Sequence, residues 1–292
     1  MTQTFETPIK TEDGVLVGPL REPRNRDQSS QSIHNDEIAR KVGFRGGTVA
    51  GSIHMDLFPP LMLEAFGDTW YERGTLSLLF LNATLDREPV RAYVKQPPPG
   101  AKDTQVDVWI NRDDGMEVAR GTASVGNSTE TTALLSRPLD RYASDKLKIL
   151  ANVKVGDTMG ETGVIYSQKQ QEERLKLTTE TIGFYHDSPW GNGVVTPAGI
   201  VHLLYQAPVA ALGPAIGPIV GLFGAIETRQ VNGPVMVETP YVATGKVVAL
   251  GESPKTEYFW FESALDDQQG KRVAEMLMLL RFMKASSPLY ES

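Results

Sequence analysis

Thr48-Val49-Ala50-Gly51-Ser52-Ile53-His54 reads against Thr196-Pro197-Ala198-Gly199-Ile200-Val201-His202 at a constant offset of 148 residues, close to half of the 292-residue chain. Pro60 and Pro208 keep the same offset. Self-similarity at this spacing points to one folding unit used twice. In each copy a small-residue turn opens an apolar run, with Ile53, Met55, Leu57, Phe58, Leu61 and Met62 in the first and Val201, Leu203, Leu204 and Tyr205 in the second. That pattern describes a helix buried on most of its faces. Proline removes a backbone donor and clashes one turn back, so Pro59-Pro60 and Pro208 are expected to kink or end each helix about two turns in.

Downstream of each helix the period changes from helical to alternating. GTLSLLF, TQVDVWIN and MEVARGTASV in the first half are matched by FGAIETRQV, PYVATGKVVAL, KTEYFWFES and RVAEMLMLLRFM in the second. Asp113-Asp114-Gly115 and Gln268-Gln269-Gly270 supply hairpin turns between the late strands. Each half therefore reads as an early strand, one or two helices, then three or four antiparallel strands: an α+β layer with its helix wrapped by a curled sheet. The expected division is residues 1–140 and 141–292, joined by a weakly periodic crossover over about 127–150.

Composition narrows the function classes. Hydrophobic residues at 40% and charged residues at 22% are those of a globular chain. The net charge of -7 is shared by both halves, so neither carries a basic footprint for nucleic acid. Zero cysteines exclude a disulfide framework, a thiolate nucleophile and a thiolate-ligated metal. MTQTFETPIKTEDG has neither the basic nor the apolar region of a signal peptide, which makes the cytoplasm the expected location. From Ser188 to Ile226 there is no Asp, Glu, Lys or Arg, but Pro197, Pro208, Pro214 and Pro218 interrupt the stretch. It is expected to be a buried helix and apolar loop, not a membrane span. No Gly-x-Ser-x-Gly elbow, phosphate loop or His-Glu-x-x-His metal motif is present. No metal and no cofactor are expected.

The four histidines are His34, His54, His186 and His202. Each half has one before its Ala-Gly turn and one after it. A glycine that opens a helix leaves unpaired backbone N–H groups pointing outward, where a carbonyl oxygen gaining negative charge can be held. Gly51, flanked by Ala50 and Ser52, and Gly199 are the candidates for that role. In the second half, Tyr185-His186-Asp187 precedes the turn and His202 follows it, giving a phenol, two imidazoles and a carboxylate as a candidate set. His54 and Asp56 lie close enough in sequence for both to face one site.

Ser32-Ile33-His34-Asn35-Asp36, followed by Ala39, Gly43-Phe44 and Val49-Ala50-Gly51, resembles the MaoC-like dehydratases and (R)-specific enoyl-CoA hydratases of the hot-dog superfamily. The stretch EAFGDTWYERGTLSLLFLNATL is similar to bacterial members of the same family. The resemblance covers about residues 30–125, and the repeat extends it more weakly to about 285. It implies a double hot-dog: two tandem hot-dog halves whose antiparallel sheet wraps central helices. It further implies hydration of an enoyl thioester, or the reverse, with an acyl thioester of CoA or a carrier protein as substrate and a homodimer as a possible assembly. On this resemblance His34 matches the catalytic histidine, Asp36 the last position of the motif and Gly51 the glycine that binds the thioester carbonyl. The family's catalytic Asp is not matched: Ser29 stands there, with Gln31 two residues on, and these two are the candidates to hold the water. A thioesterase, a catalytically degenerate acyl-binding protein, and a hydro-lyase or addition enzyme on a non-thioester substrate are the alternatives.

Overall fold

Four long strands in each half follow from alternation of apolar and polar residues, and the helices fill the sequence before them. The computed structural model describes residues 9–25, 32–217 and 219–290. The first half begins with a short hairpin, β1 (Lys10–Glu12) and β2 (Val15–Val17). Four helices follow: α1 (Asp36–Lys41), α2 (Gly51–Met55), α3 (Pro59–Phe66) and α4 (Thr69–Arg73). The half closes with β3 (Gly74–Phe80), β4 (Val90–Lys95), β5 (Thr104–Arg112) and β6 (Glu117–Val125). The second half has β7 (Thr158–Ile165), α5 (Gln168–Leu175), the long α6 (Pro197–Ile216), then β8 (Gly221–Gln230), β9 (Pro240–Glu252), β10 (Thr256–Asp266) and β11 (Arg272–Met283). The expected tight turns join β5 to β6 and β10 to β11, with Gly115 and Gly270 at φ 85° and 76°, where only glycine is unstrained.

All eleven strands form one sheet in the order β1-β2-β4-β5-β6-β3-β8-β11-β10-β9-β7. The order is palindromic about its middle: β2-β4-β5-β6-β3 on one side is mirrored by β7-β9-β10-β11-β8 on the other. β3 and β8 pair antiparallel from Thr75 opposite Arg229 to Leu79 opposite Ala225. The two halves are therefore related by a pseudo-twofold axis through this strand pair, and the sheet runs unbroken across it.

Side chains alternate across the sheet. Met276, Met278 and Leu280 of β11 join Phe58, Met62, Leu203 and Leu204 in the core beneath the helices. Leu277 and Leu279 emerge on the other face with Leu79, Tyr258 and Trp260, where Leu134 of the crossover covers them. The crossover has no helix or strand of its own and is pinned by side chains of the sheet. Leu134 N–H donates to Ser77 Oγ at 3.1 Å, and Thr132 Oγ1 donates to Glu227 at 2.6 Å. At its end, the N–H groups of Lys148, Ile149 and Leu150 donate to the fully buried Glu257 carboxylate at 2.7, 3.1 and 2.9 Å. Tyr290 donates its hydroxyl to the same carboxylate, tying down the C-terminal turn.

The prolines act differently in the two halves. Pro59 and Pro60 occupy the first two positions of α3, where their missing N–H groups had no helical partner to lose, and so they start a new helix after α2 ends. α6 continues through Pro208 and Pro214 for 20 residues. Of the two outcomes expected there, a kink or an end, the helix does not end, and Pro208 lies against β9, where a Cβ placed on Gly245 would be 3.0 Å from it. α6 is long and apolar enough to cross a membrane. Its turns from Pro197 to Leu204 are nevertheless largely buried among the sheet and α2, the setting of a core helix.

Glu257→Gln removes an acceptor and places an amide N–H against backbone N–H donors. It is expected to cost about 2 kcal/mol, read as a lower urea midpoint with an unchanged slope. An unchanged midpoint would mean that the crossover contributes nothing to stability.

Candidate functional site

The segment that carries His34 is fixed at both ends. Asn35 caps α1, its Oδ1 accepting from the N–H of Glu37 at 3.0 Å and of Ile38 at 3.3 Å. Asp36 accepts from Gly47 N–H at 2.7 Å and from Arg40 at 2.9 Å, and these contacts, the Gly47 N–H first, hold its carboxyl below the usual range. Asp36 is thus a clamp between α1 and the loop before α2. It is not a cavity-facing acid. Thr48 N–H donates to Ile33 O at 3.1 Å, and His34 Nδ1 lies 2.5 Å from Thr48 O. A carbonyl only accepts, so Nδ1 carries the proton, and it is Nε2 that is left to exchange one. Ile33, Ala39 and Val42 pack on Val220 and Met283, so the His34 segment of one half is seated on the other half.

A cavity of about 250 Å³ brings together His34, Ala50, Gly51 and His54 with Phe80–Ala83 and Gly221–Gly224. It opens because the pairing of β3 with β8 ends at Leu79 opposite Ala225, beyond which the strands separate. Ala50 is the N-cap of α2 and makes no side-chain cap. Among the described residues, the N–H groups of Gly51 and Ser52 have no acceptor. A Cβ on Gly51 would meet the Phe80 ring at 2.5 Å, so glycine is required where the helix end approaches this wall. Ser52 is buried and does not line the cavity. A second cavity, about 480 Å³, shares His34, Gly221 and Phe223 with the first and continues between α6 and β11 along Tyr205, Val209 and Leu280. Its lining mixes apolar side chains with polar backbone and side-chain atoms, and it comes in part from the uncharged stretch noted in the sequence.

His54 is fully buried in α2, with Nε2 2.9 Å from Thr84 Oγ1 and Nδ1 without a partner. Burial lowers its pKa to about 4, so the ring is neutral at pH 7. Asp56 turns away from His34 and crosses to the second half, where its Oδ1 accepts from Ala198 N–H at 2.8 Å. Burial raises its pKa to about 6 against the opposing effects of Arg174 and the Ala198 N–H.

That contact decides the fate of the second turn. Equivalent hydrogen bonds, Thr48 N–H to Ile33 O and Val194 N–H to Phe184 O, Val49 N–H to Thr84 O and Val195 N–H to Val235 O, relate the two turns at an offset of 146. The N-caps Ala50 and Thr196 agree with it. Gly51 therefore corresponds to Pro197 and not to Gly199, and His34 corresponds to Tyr185. Pro197 has no N–H, Ala198 N–H is taken by Asp56, and Gly199 N–H donates to Thr196 Oγ1 at 3.1 Å. The space beside Gly199 is filled by Val195 and Tyr166. No free donor remains there, which removes Gly199 as a carbonyl-binding candidate. The other second-half candidates do not converge either. Tyr185 is buried beside Tyr71, where burial raises both phenols, while His186 and Asp187 are exposed. His202 packs edge-on against Tyr166, ring centres 6.1 Å apart. Ser29 and Gln31 lie outside the described residues. Among the described residues, no three His, Asp or Glu side chains are grouped to hold a metal.

His54 and Asp56 have opposite effects on stability in one pH window. The His54 pKa is depressed on folding, so its contribution is lost as pH falls from about 6.5 to 4. The Asp56 pKa is raised on folding, so its contribution is lost as pH rises from 3.8 to about 6. The pair nearly cancels in the wild type. Asp56→Asn is expected to lose stability as pH falls through this window and His54→Gln to gain it, each by about 1.4 kcal/mol per pH unit relative to wild type. Urea titrations at stepped pH measure both slopes, and parallel profiles for all three proteins would contradict the assignment.

The sequence matches no protein-family model. It matches no curated protein. Its fold is similar to that of a MaoC domain protein dehydratase from Chloroflexus aurantiacus, at 11% identity and TM-score 0.58, covering 91% of this chain and 95% of that one. It is also similar to a Mycobacterium tuberculosis protein with a double hot-dog fold, at 13% identity and TM-score 0.53, covering 88% and 87%. A looser match, at 11% identity and TM-score 0.48 over 95% and 98%, is the dehydratase domain of PpsC from Mycobacterium tuberculosis in complex with C12:1-CoA. Hot-dog thioesterases are among the matches as well. The chain has the double hot-dog fold expected from its sequence, with MaoC-like dehydratases among its structural neighbours.

Proposed function

We propose that the chain is a hydro-lyase of the MaoC type, which adds water to an enoyl thioester or removes it from a 3-hydroxyacyl thioester. The observation that carries this reading is the asymmetry of the two turns. One keeps a free helix-end N–H beside a histidine in a cavity, and the other is closed by Pro197, Asp56 and Thr196.

In the hydration direction, His34 Nε2 takes a proton from water as the hydroxyl oxygen bonds to C3. The C2–C3 double-bond electrons move toward the thioester, and the charge that develops on the carbonyl oxygen is held by the Gly51 N–H. The proton on His34 then passes to C2, leaving a 3-hydroxyacyl thioester and a neutral ring. Thr48 O fixes the tautomer this cycle needs. The 480 Å³ cavity that meets the site at His34, with Val209, Phe223 and Leu280 in its wall, gives the acyl chain a place to lie. Ser29 and Gln31 remain the proposed holders of the water.

The test is loss of enoyl absorbance with trans-2-enoyl-CoA substrates of increasing length, with a thiol reagent in parallel. His34→Ala is expected to lower kcat/KM by about 10²–10⁴ without moving the melting temperature by more than a few degrees. Thiol release by the wild type would replace this reading with a thioesterase. No turnover in either channel would leave a binding protein or a non-thioester substrate.

A further inference from the structure

Arg281 lines the same cavity as His34 and Gly51, although it comes from β11 of the other half. It follows Leu277 and Leu279 at the two-residue period of the strand, so it approaches the gap between β3 and β8 from the face away from the helices. Its neighbours across the sheet are Leu222 and Tyr258. A Cβ on Gly224 would lie 2.6 Å from Arg281 Nε, so the guanidinium side chain runs directly over a bare stretch of backbone in the cavity wall. The residue is half-buried, and among the described residues it makes no ion pair and no hydrogen bond. Burial pushes its pKa down, and only the Tyr258 phenol opposes this.

Three other half-buried arginines meet acids, while Arg91 and Arg174, also half-buried, make no ion pair among the described residues. Arg112 holds Glu88 and Asp114, Arg272 holds Asp266 and Glu275, and Arg21 holds Glu180. A cation withdrawn from water without an acid costs stability, and that cost is offset when a ligand supplies the anion. The guanidinium fork matches two oxygens of a carboxylate or phosphate at once.

We propose that Arg281 anchors an anionic oxygen group of the ligand that occupies the His34 cavity. This inference rests on the thioester reading only for the identity of the ligand. The group is a carboxylate on the acyl part or a phosphate of the carrier, and the two share the same chemistry at the arginine. Arg281 and His34 line one cavity of about 250 Å³, which places the anion within one small-molecule length of the imidazole.

Calorimetric titration of wild type, Arg281→Gln and Arg281→Lys with three saturated thioesters separates the sources. Butyryl N-acetylcysteamine carries no anion, succinyl N-acetylcysteamine carries only an acyl carboxylate, and butyryl-CoA carries only carrier phosphates. Arg281→Gln is expected to weaken one of the two anionic ligands about ten- to hundredfold relative to the neutral one, with Arg281→Lys retaining part of the affinity. Loss for succinyl N-acetylcysteamine assigns the carboxylate, and loss for butyryl-CoA assigns the phosphate. Equal weakening of all three, or none, overturns the proposal. Failure of wild type to bind any of the three counts against the thioester reading. Titration of inorganic phosphate and succinate into wild type and Arg281→Gln then tests the arginine by itself, and equal affinities in the two proteins overturn it. Circular dichroism melts confirm that each variant is folded.

Discussion

Antiparallel pairing of β3 with β8 turns two half-sheets into one, and every feature of the site depends on it. Because equivalent strands meet at the pseudo-twofold axis, the end of β3 and the start of β8 separate on leaving the pairing. The gap they leave is walled by both halves. His34 and Gly51 reach it from the first half, and Gly221–Gly224 and Arg281 from the second. Neither half contains the cavity alone. The crossover contributes from the opposite face through Leu134, and at its end it returns to the core side, where Ile149 and Leu150 pack and their N–H groups donate to Glu257.

Twofold symmetry would offer two such gaps, and the sequence closes one of them. Asp56 is the device. It leaves the first half two residues after His54 and satisfies the second helix end, a place where a free N–H would otherwise donate to a ligand's oxygen. Its burial is costly for a carboxylate, as its raised pKa records, and the opposite shift of His54 offsets only the pH dependence of that cost. The two turns have thus diverged in structure. One turn keeps a donor and a histidine, and the other has become packing, with Tyr185 at the position of His34.

The repeat was legible because small residues and prolines mark backbone geometry directly, and the strands were legible because alternation is a local signal. The register of the repeat was not. Ala50-Gly51 and Ala198-Gly199 look alike in sequence, but hydrogen bonds equate Gly51 with Pro197. Twelve residues separate His34 from Gly47, whereas seven separate Tyr185 from Gly193, so the loop before the second turn is five residues shorter and the offset falls from 151 before it to 146 after it. His34, Gly51 and His54 could be grouped from spacing within one half. The destination of Asp56, 142 residues away, depends on how the two helices pack, which no local pattern encodes.

Arg281 illustrates the same limit from the other direction. In RVAEMLMLLRFM it is a charge near the end of a run that is otherwise almost wholly apolar, a signal readable as an edge or a strand end. Its significance appears only when β11 is placed beside β8, Gly224 clears space for it, and no acid among the described residues meets it. A strand buried on both faces tolerates a cation where something outside the strand stabilises the charge. Tyr258 cannot do so as a neutral phenol, and the backbone of Gly224 offers contact without charge. The partner that completes the electrostatics of this face must then enter through the cavity, which ties ligand choice to the second half while the proposed acid–base chemistry stays with the first.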